Sequence, residues 1–191
     1  MLLAAGAGTR MGAPKALLRD GNGLAWAVRA ARALRAGGCA EVHVVVGARG
    51  DEVAAELESE AVRVVAASGW AEGMGASLRA GLAALADTDP NPTAVLVAVV
   101  DMPGLDAAVV RRMAGHAAPD VLARATYHGV PGHPVVIGCE HFDEVARHAH
   151  GDVGARDFLS DHPPREVECS DLSDGIDVDE PGQLPHGHHP G

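Results

Sequence analysis

A short apolar strand that breaks into small residues and ends on two cations constrains this chain more than anything else in it. Leu2-Leu3-Ala4-Ala5 runs into Gly6-Ala7-Gly8-Thr9-Arg10-Met11-Gly12-Ala13-Pro14-Lys15. Gly6, Gly8 and Gly12 let the backbone take positive φ and bring its N–H groups close to a ligand. Successive N–H groups in such a turn form a concavity for an anion, and a helix N-terminus behind it adds to the field. Arg10 then offers a planar fork and Lys15 a point charge. The stretch reads as a seat for a polyphosphate, with Ala4, Ala5, Gly6, Ala7, Gly8, Arg10 and Lys15 as its binding residues.

Two commoner phosphate motifs do not fit it. The dinucleotide fingerprint needs a glycine three residues after Gly8, where Met11 stands. The P-loop needs Gly-Lys-[Ser/Thr], but Gly12 is followed by Ala13-Pro14-Lys15-Ala16. Lys15 is the sole lysine in the chain. Either an arginine-biased composition left one by chance, or this position needs a compact ammonium.

At 191 residues the chain suits a single α/β domain. Aromatic residues make up 3% of it, so the core must be aliphatic and rich in alanine. A net charge of −11 argues against a nucleic-acid partner, which would call for a basic patch. Cys39, Cys139 and Cys169 are far apart and odd in number; they suggest neither a zinc site nor a disulfide framework, and point to a reducing cytoplasm. No run approaches the ~18 apolar residues of a membrane span, so no membrane is expected. Met1–Ala7 lacks the basic leading region of a signal peptide. The first strand starts with fewer residues ahead of it than such strands usually have.

The pattern then alternates. Leu24–Ala36 predicts a helix stopped by Gly37-Gly38, Glu41–Val46 a buried strand, Asp51–Glu60 a short helix and Val62–Ala66 another strand. This spacing implies βαβ units on a parallel sheet, whose ligands sit beyond the carboxyl ends of the strands. Ser77 reads as the N-cap of a helix to about Leu85, after a glycine-rich connection carrying Trp70. Asp87–Thr93 is a Pro/Asp loop. Ala94–Val100 is the most hydrophobic run, hence the central strand, and it delivers Asp101-Met102-Pro103 at its carboxyl end. A carboxylate there is costly unless a cation meets it, and Mg2+ bridging to phosphates suits one or two carboxylates. The alternative, Asp101 as a helix cap, is weakened because Asp106 is available for the following helix. Asp106–Ala117 predicts that helix, Val121–Thr126 a strand, Gly132–Ile137 a loop feeding a further strand and Glu140–His150 a helix. Arg156 falls in the first turn of another helix. His186-Gly187-His188-His189-Pro190 reads as a disordered polar tail rather than a metal site.

Leu3-Ala4-Ala5-Gly6 through Lys15 resembles the signature of the MobA-like nucleotidyltransferases, most closely their molybdenum cofactor cytidylyltransferase branch. Five further stretches resemble that branch in the same order. Trp70-Ala71-Glu72-Gly73-Met74-Gly75-Ala76-Ser77-Leu78-Arg79-Ala80-Gly81-Leu82 would frame base and ribose through Gly73 and Ser77, although by itself it reads as a structural connection. Asp101-Met102-Pro103 would supply a metal ligand. Gly129-Val130-Pro131-Gly132-His133-Pro134 would face the acceptor, although a lone histidine is more often a structural hydrogen-bonder. Gly151-Asp152-Val153-Gly154-Ala155-Arg156 would give further acceptor contacts through Asp152 and Arg156. Asp177-Val178-Asp179-Glu180-Pro181-Gly182-Gln183-Leu184 resembles the family's Asp-Ile-Asp-Thr-Pro-Glu-Asp-Leu element. It makes Asp179 a second metal ligand, and its departures at Glu180, Gly182 and Gln183 are expected to weaken the helix start.

The resemblance implies a Rossmann-like three-layer α/β/α sandwich with a mainly parallel sheet, of the nucleotide-diphospho-sugar transferase type. It implies one domain over residues 1–185, with a nucleotide half to about residue 100 and an acceptor half from 101, then the tail at 186–191. The implied reaction is Mg2+-dependent transfer of a nucleotidyl group, CMP from CTP, to molybdopterin or its molybdenum form, with Arg10, Lys15 and Asp101 catalytic. A molybdoenzyme or its chaperone would be a partner. Guanylyl transfer, activation of a sugar or polyol phosphate, and a non-catalytic nucleotide-binding protein remain alternatives.

Overall fold

In the computed structural model, which describes residues 1–190, the chain opens on β1 (Leu2–Ala4). It continues through α1 (Trp26–Ala36), β2 (His43–Val46), α2 (Gly50–Glu56), β3 (Arg63–Ala66), α3 (Met74–Ala86) and β4 (Ala94–Val99). The second half carries α4 (Ala107–Ala114), β5 (Leu122–Tyr127), β6 (Val130–Gly138), α5 (Phe142–His148), α6 (Arg156–Asp161) and β7 (Arg165–Glu168).

The strands form one sheet in the order β3-β2-β1-β4-β6-β5-β7. β3, β2, β1 and β4 are parallel, with Leu2 opposite both Val44 and Ala98. β6 runs antiparallel between β4 and β5, and β7 pairs parallel to β5. α1 packs with α2 and α4, while α3 packs with α5 and α5 with α6, which gives the sheet a helical layer on each face. Strands covered on both faces must be apolar throughout. Val44 and Val45 in β2 and Ala98 in β4 are wholly buried, each valine worth on the order of 1.5–3 kcal/mol. The expected three-layer, mainly parallel architecture is what the chain adopts.

Several boundaries differ from the sequence reading for identifiable reasons. α3 starts at Met74, directly after Gly73 (φ 117), and runs to Ala86, so Ser77 is a buried residue inside the helix and not its N-cap. Gly132-His133-Pro134 lies within β6, because His128 and Gly129 (φ 53 and 77) complete a two-residue turn and pairing resumes at Val130. α5 is a seven-residue helix behind a 3-10 turn at Cys139–His141. Asp106 caps α4 by accepting from Ala108 N (2.8 Å) and Val109 N (3.1 Å), which leaves Asp101 free of that task.

The terminal segment is docked rather than disordered. Arg19 and His189 exchange backbone hydrogen bonds (2.8 and 3.0 Å), and the Trp26 indole N–H donates to His188 Nδ1 at 3.1 Å.

Candidate active site

From β1 the chain builds outward through β2 to β3, then crosses back over α3 to lay β4 on the other side of β1. The crevice beyond the carboxyl ends of β1 and β4 is where open α/β sheets take ligands. A cleft of about 680 Å³ opens there.

One wall is the glycine turn. Gly8 takes φ 61, Gly12 N closes the turn onto Gly8 O at 2.9 Å, and a methyl at Gly8 would overlap the Ala13 carbonyl oxygen. Pro14 then leads into a 3-10 turn, Lys15–Leu17, which aims the one lysine back at the end of β4. Lys15 Nζ lies 3.1 Å from Asp101 Oδ2 and 2.6 Å from Asp179 Oδ1, and Arg10 reaches Asp179 Oδ2 at 3.1 Å. The Lys15 side chain is 14% exposed, so this ammonium joins the two carboxylates with little water around it.

Asp101 keeps one demand unmet. Its Oδ1 is buried and has no hydrogen-bond partner, while Oδ2 holds Lys15. An ionised oxygen in that state favours a cation nearby. Lys15, followed by Arg10, holds the Asp179 carboxyl below the usual range. Asp177 goes the other way, pushed up to about 6 by desolvation first and then by the negative charge of Asp101. Among the described residues no three His, Cys, Asp or Glu side chains are grouped to hold a metal by themselves. Two carboxylates with an open side suit Mg2+ or Mn2+ that completes its shell with phosphate oxygens and water.

The C-terminal element is clipped to this spot. Val178 N donates to Asp101 O at 2.9 Å, and Gln183 Oε1 accepts from Asp179 N (2.7 Å) and Glu180 N (3.0 Å). The departures at Glu180 and Gln183 thus form a capping box rather than weakening the turn, because the longer glutamine reaches back to the backbone.

The opposite wall is the start of α3, with Trp70, Met74 and Ser77; the segment carrying Asp152 passes so close to Gly73 that a side chain there would collide with it. Of the residues expected from sequence, Ala5, Gly6, Ala7, Gly8, Arg10, Lys15, Gly73, Ser77, Asp101, Asp152 and Asp179 line this one cleft. Ala4 lies buried in β1 beneath it. His133 is half-buried in β6, outside the lining; burial lowers its pKa and the charge of Asp101 opposes that shift. Arg156 stands exposed on α6, also outside the lining. Sequence reasoning missed Asp177, Thr9 and the apolar wall of Trp70, Met74, Val99 and Val100. The Asp-Val-Asp alternation about a buried Val178 was the available signal for Asp177.

The MobA-like NTP transferase domain matches residues 1–167. The chain belongs to that family. The match covers the glycine turn, Lys15 and Asp101, whereas Asp177 and Asp179 lie past its end. Among curated proteins this MobA-like chain is similar to nicotine blue oxidoreductase of Paenarthrobacter nicotinovorans, 40% identical over 194 residues, which spans 96% of this chain and 93% of that one. Among solved structures it is similar to a nucleotidyl transferase from Methanothermobacter, with TM-score 0.78 and 24% identity over 94% of this chain and 90% of that one. It is also similar to Rv0371c of Mycobacterium tuberculosis H37Rv, with TM-score 0.77 and 28% identity over 94% and 90% of the two chains. Rv0371c has also been solved in complex with manganese (TM-score 0.70, 24% identity, 87% and 84% covered).

Proposed function

We propose that this MobA-like protein binds a nucleoside triphosphate in the cleft and transfers its nucleotidyl group to a phosphate-bearing acceptor. The observation that carries this reading is the ammonium of Lys15 held between Asp101 and Asp179 beneath an anion-binding turn. An acceptor phosphate oxygen attacks the α-phosphorus in line, the new P–O bond forms as the bond to the β-phosphate oxygen breaks, and pyrophosphate leaves with the electron pair. Positioning and charge neutralisation suffice for such a step, with no covalent help from the protein. The glycine turn, Arg10 and Lys15 orient the triphosphate and balance charge on the leaving pyrophosphate. Asp101 and Asp179 would hold a divalent cation, Mg2+ by expectation, which supplies further neutralisation between phosphate oxygens. The unpartnered Asp101 oxygen supports that role, as does the manganese bound by Rv0371c.

CTP is the nucleotide this reading favours. The methyl of Ala5, where guanylyl-transferring relatives carry glycine, leaves less room for a purine edge. Molybdopterin or its molybdenum form is the acceptor implied by the Trp70–Leu82 and Gly151–Arg156 resemblances, and a molybdoenzyme or its chaperone would receive the product. Asp152 lines the same cleft and is placed for the acceptor side.

The relative at 40% identity favours a second reading, hydride transfer, because its name is that of an oxidoreductase. A nicotinamide dinucleotide would present a pyrophosphate to the same turn and cations, with the apolar wall of Trp70 and Met74 beside its rings.

Thermal unfolding with each candidate separates the two. A ligand that binds only the native state stabilises it by about 2.7 kcal/mol at a hundredfold excess over Kd. A Mg2+-dependent rise with CTP alone supports cytidylyl transfer, and a rise with GTP alone moves the protein to guanylyl transfer. A metal-independent rise with NADH or NADPH, without any from the triphosphates, overturns the transferase reading.

A further inference from the structure

Three residues that carry the charged cluster have neighbours in one small core. Met11, next to Arg10, packs with Val178, next to Asp179, and Val100, next to Asp101, lies against them. Leu18, Trp26 and Leu184 complete this core, whose buried members are distinct from those of the main one, with Val100 packed against both. Met11 is the one buried side chain between Gly6 and Ala13, so the glycine turn has a single anchor over that span.

Trp26 is the largest member of this core and is 2% exposed. A buried indole N–H needs an acceptor, and His188 Nδ1 supplies it at 3.1 Å, with the two rings edge-on at 5.6 Å. His188 is carried there by the backbone pairing of His189 with Arg19. Arg19 in turn holds Glu56 at the end of α2 through both carboxylate oxygens (3.1 and 2.5 Å). His188 can accept only while Nδ1 is unprotonated. Burial, Arg29 and His189 favour that neutral form, and Asp20 opposes them.

We infer that Trp26 and His188 are a positioning pair for the cleft: the docked C-terminal strap fixes Trp26, and Trp26 fixes Met11, Val178 and Val100, hence Arg10, Asp179 and Asp101. His188 lies outside residues 1–167, which match the family, while Trp26, Met11 and Val100 lie within them. The consequence for nucleotide affinity rests on the function proposed above; the consequence for order in the glycine turn does not.

Amide hydrogen exchange tests it on the intact protein. His188→Ala and Trp26→Phe each speed exchange across residues 6–13 and 177–179 while the amides of β2 and β4 keep their protection. The double variant is no worse than Trp26→Phe alone, because both changes remove the same hydrogen bond. His188→Asn, whose side-chain oxygen can replace Nδ1 as acceptor, restores the slow exchange. Unchanged exchange in the glycine turn of His188→Ala overturns the inference, as does faster exchange spread evenly over the whole sheet. If the wild type binds CTP with Mg2+, His188→Ala also raises Kd roughly five- to tenfold and His188→Asn does not. If no nucleotide binds the wild type, the functional reading fails and the exchange data still decide the positioning role.

Discussion

Trp70 rests on Gly47: a methyl on that glycine would stand 2.5 Å from Trp70 Cβ and Cγ and 2.7 Å from Ala5 O. The indole cannot move away without leaving the cleft wall, and the Ala5 carbonyl belongs to β1's exit. Gly47→Ala should therefore cost about 1–3 kcal/mol and shift Trp70 toward the ligand. Denaturant unfolding measures the first effect, and tryptophan fluorescence together with CTP titration measures the second.

Asp101→Ala leaves Lys15 with Asp179 alone and removes the unpartnered buried oxygen. Folding should survive, since Asp106 and not Asp101 caps α4. Nucleotidyl transfer should be lost, and Mn2+ binding followed by electron paramagnetic resonance should weaken. Retained turnover in this variant would rule out Asp101 as a metal ligand.

Lys15→Arg tests whether the site needs a compact ammonium. A planar guanidinium pairs side by side with one carboxylate and fits poorly between two. We expect transfer to fall by about 10²–10³, the usual loss when one positioned donor is removed, with the melting temperature little changed.

Glu168 gives a prediction far from the cleft. Its carboxylate accepts from His128 N, Gly129 N and Ser170 N and from the Thr126 hydroxyl, at 2.9 to 3.1 Å, and so ties β7 to the β5–β6 turn. These donors, Ser170 first, hold its pKa at about 2 against an ordinary 4.5. A depressed carboxyl stabilises the fold above its unfolded pKa. Its contribution should fade as pH drops from about 4.5 to about 2. Glu168→Gln should lower the melting temperature at neutral pH and flatten the loss in that acid window.

The parallel half of the sheet was legible because its apolar runs alternate with runs of good helix formers, the first of them stopped by Gly37-Gly38. β7 was not: Arg165-Glu166-Val167-Glu168 buries only Val167, as an edge strand with one covered position does. Ser77 misled because it is a good cap by composition, whereas the positive φ at Gly73 starts the helix four residues earlier. The histidines of the tail carry no local periodicity, and what orders them is a distant indole N–H and the backbone of Arg19. In the cleft, residue types and spacing named Lys15 and Asp101, and the family resemblance named Asp179. That the ammonium sits between the two carboxylates is a tertiary fact, as is the reach of Gln183 to the backbone of Asp179.

Lys15 meets Asp101 across 86 residues of chain and Asp179 across 164. The second contact closes one of the long loops of the polypeptide, and a nascent chain lacks it until Asp179 has been made. Most of the sheet can be assembled while the chemistry is still missing, because the last carboxylate arrives near the end of the chain. The meeting of Lys15, Asp101 and Asp179 is thus a stricter readout of completed folding than helix content or compactness.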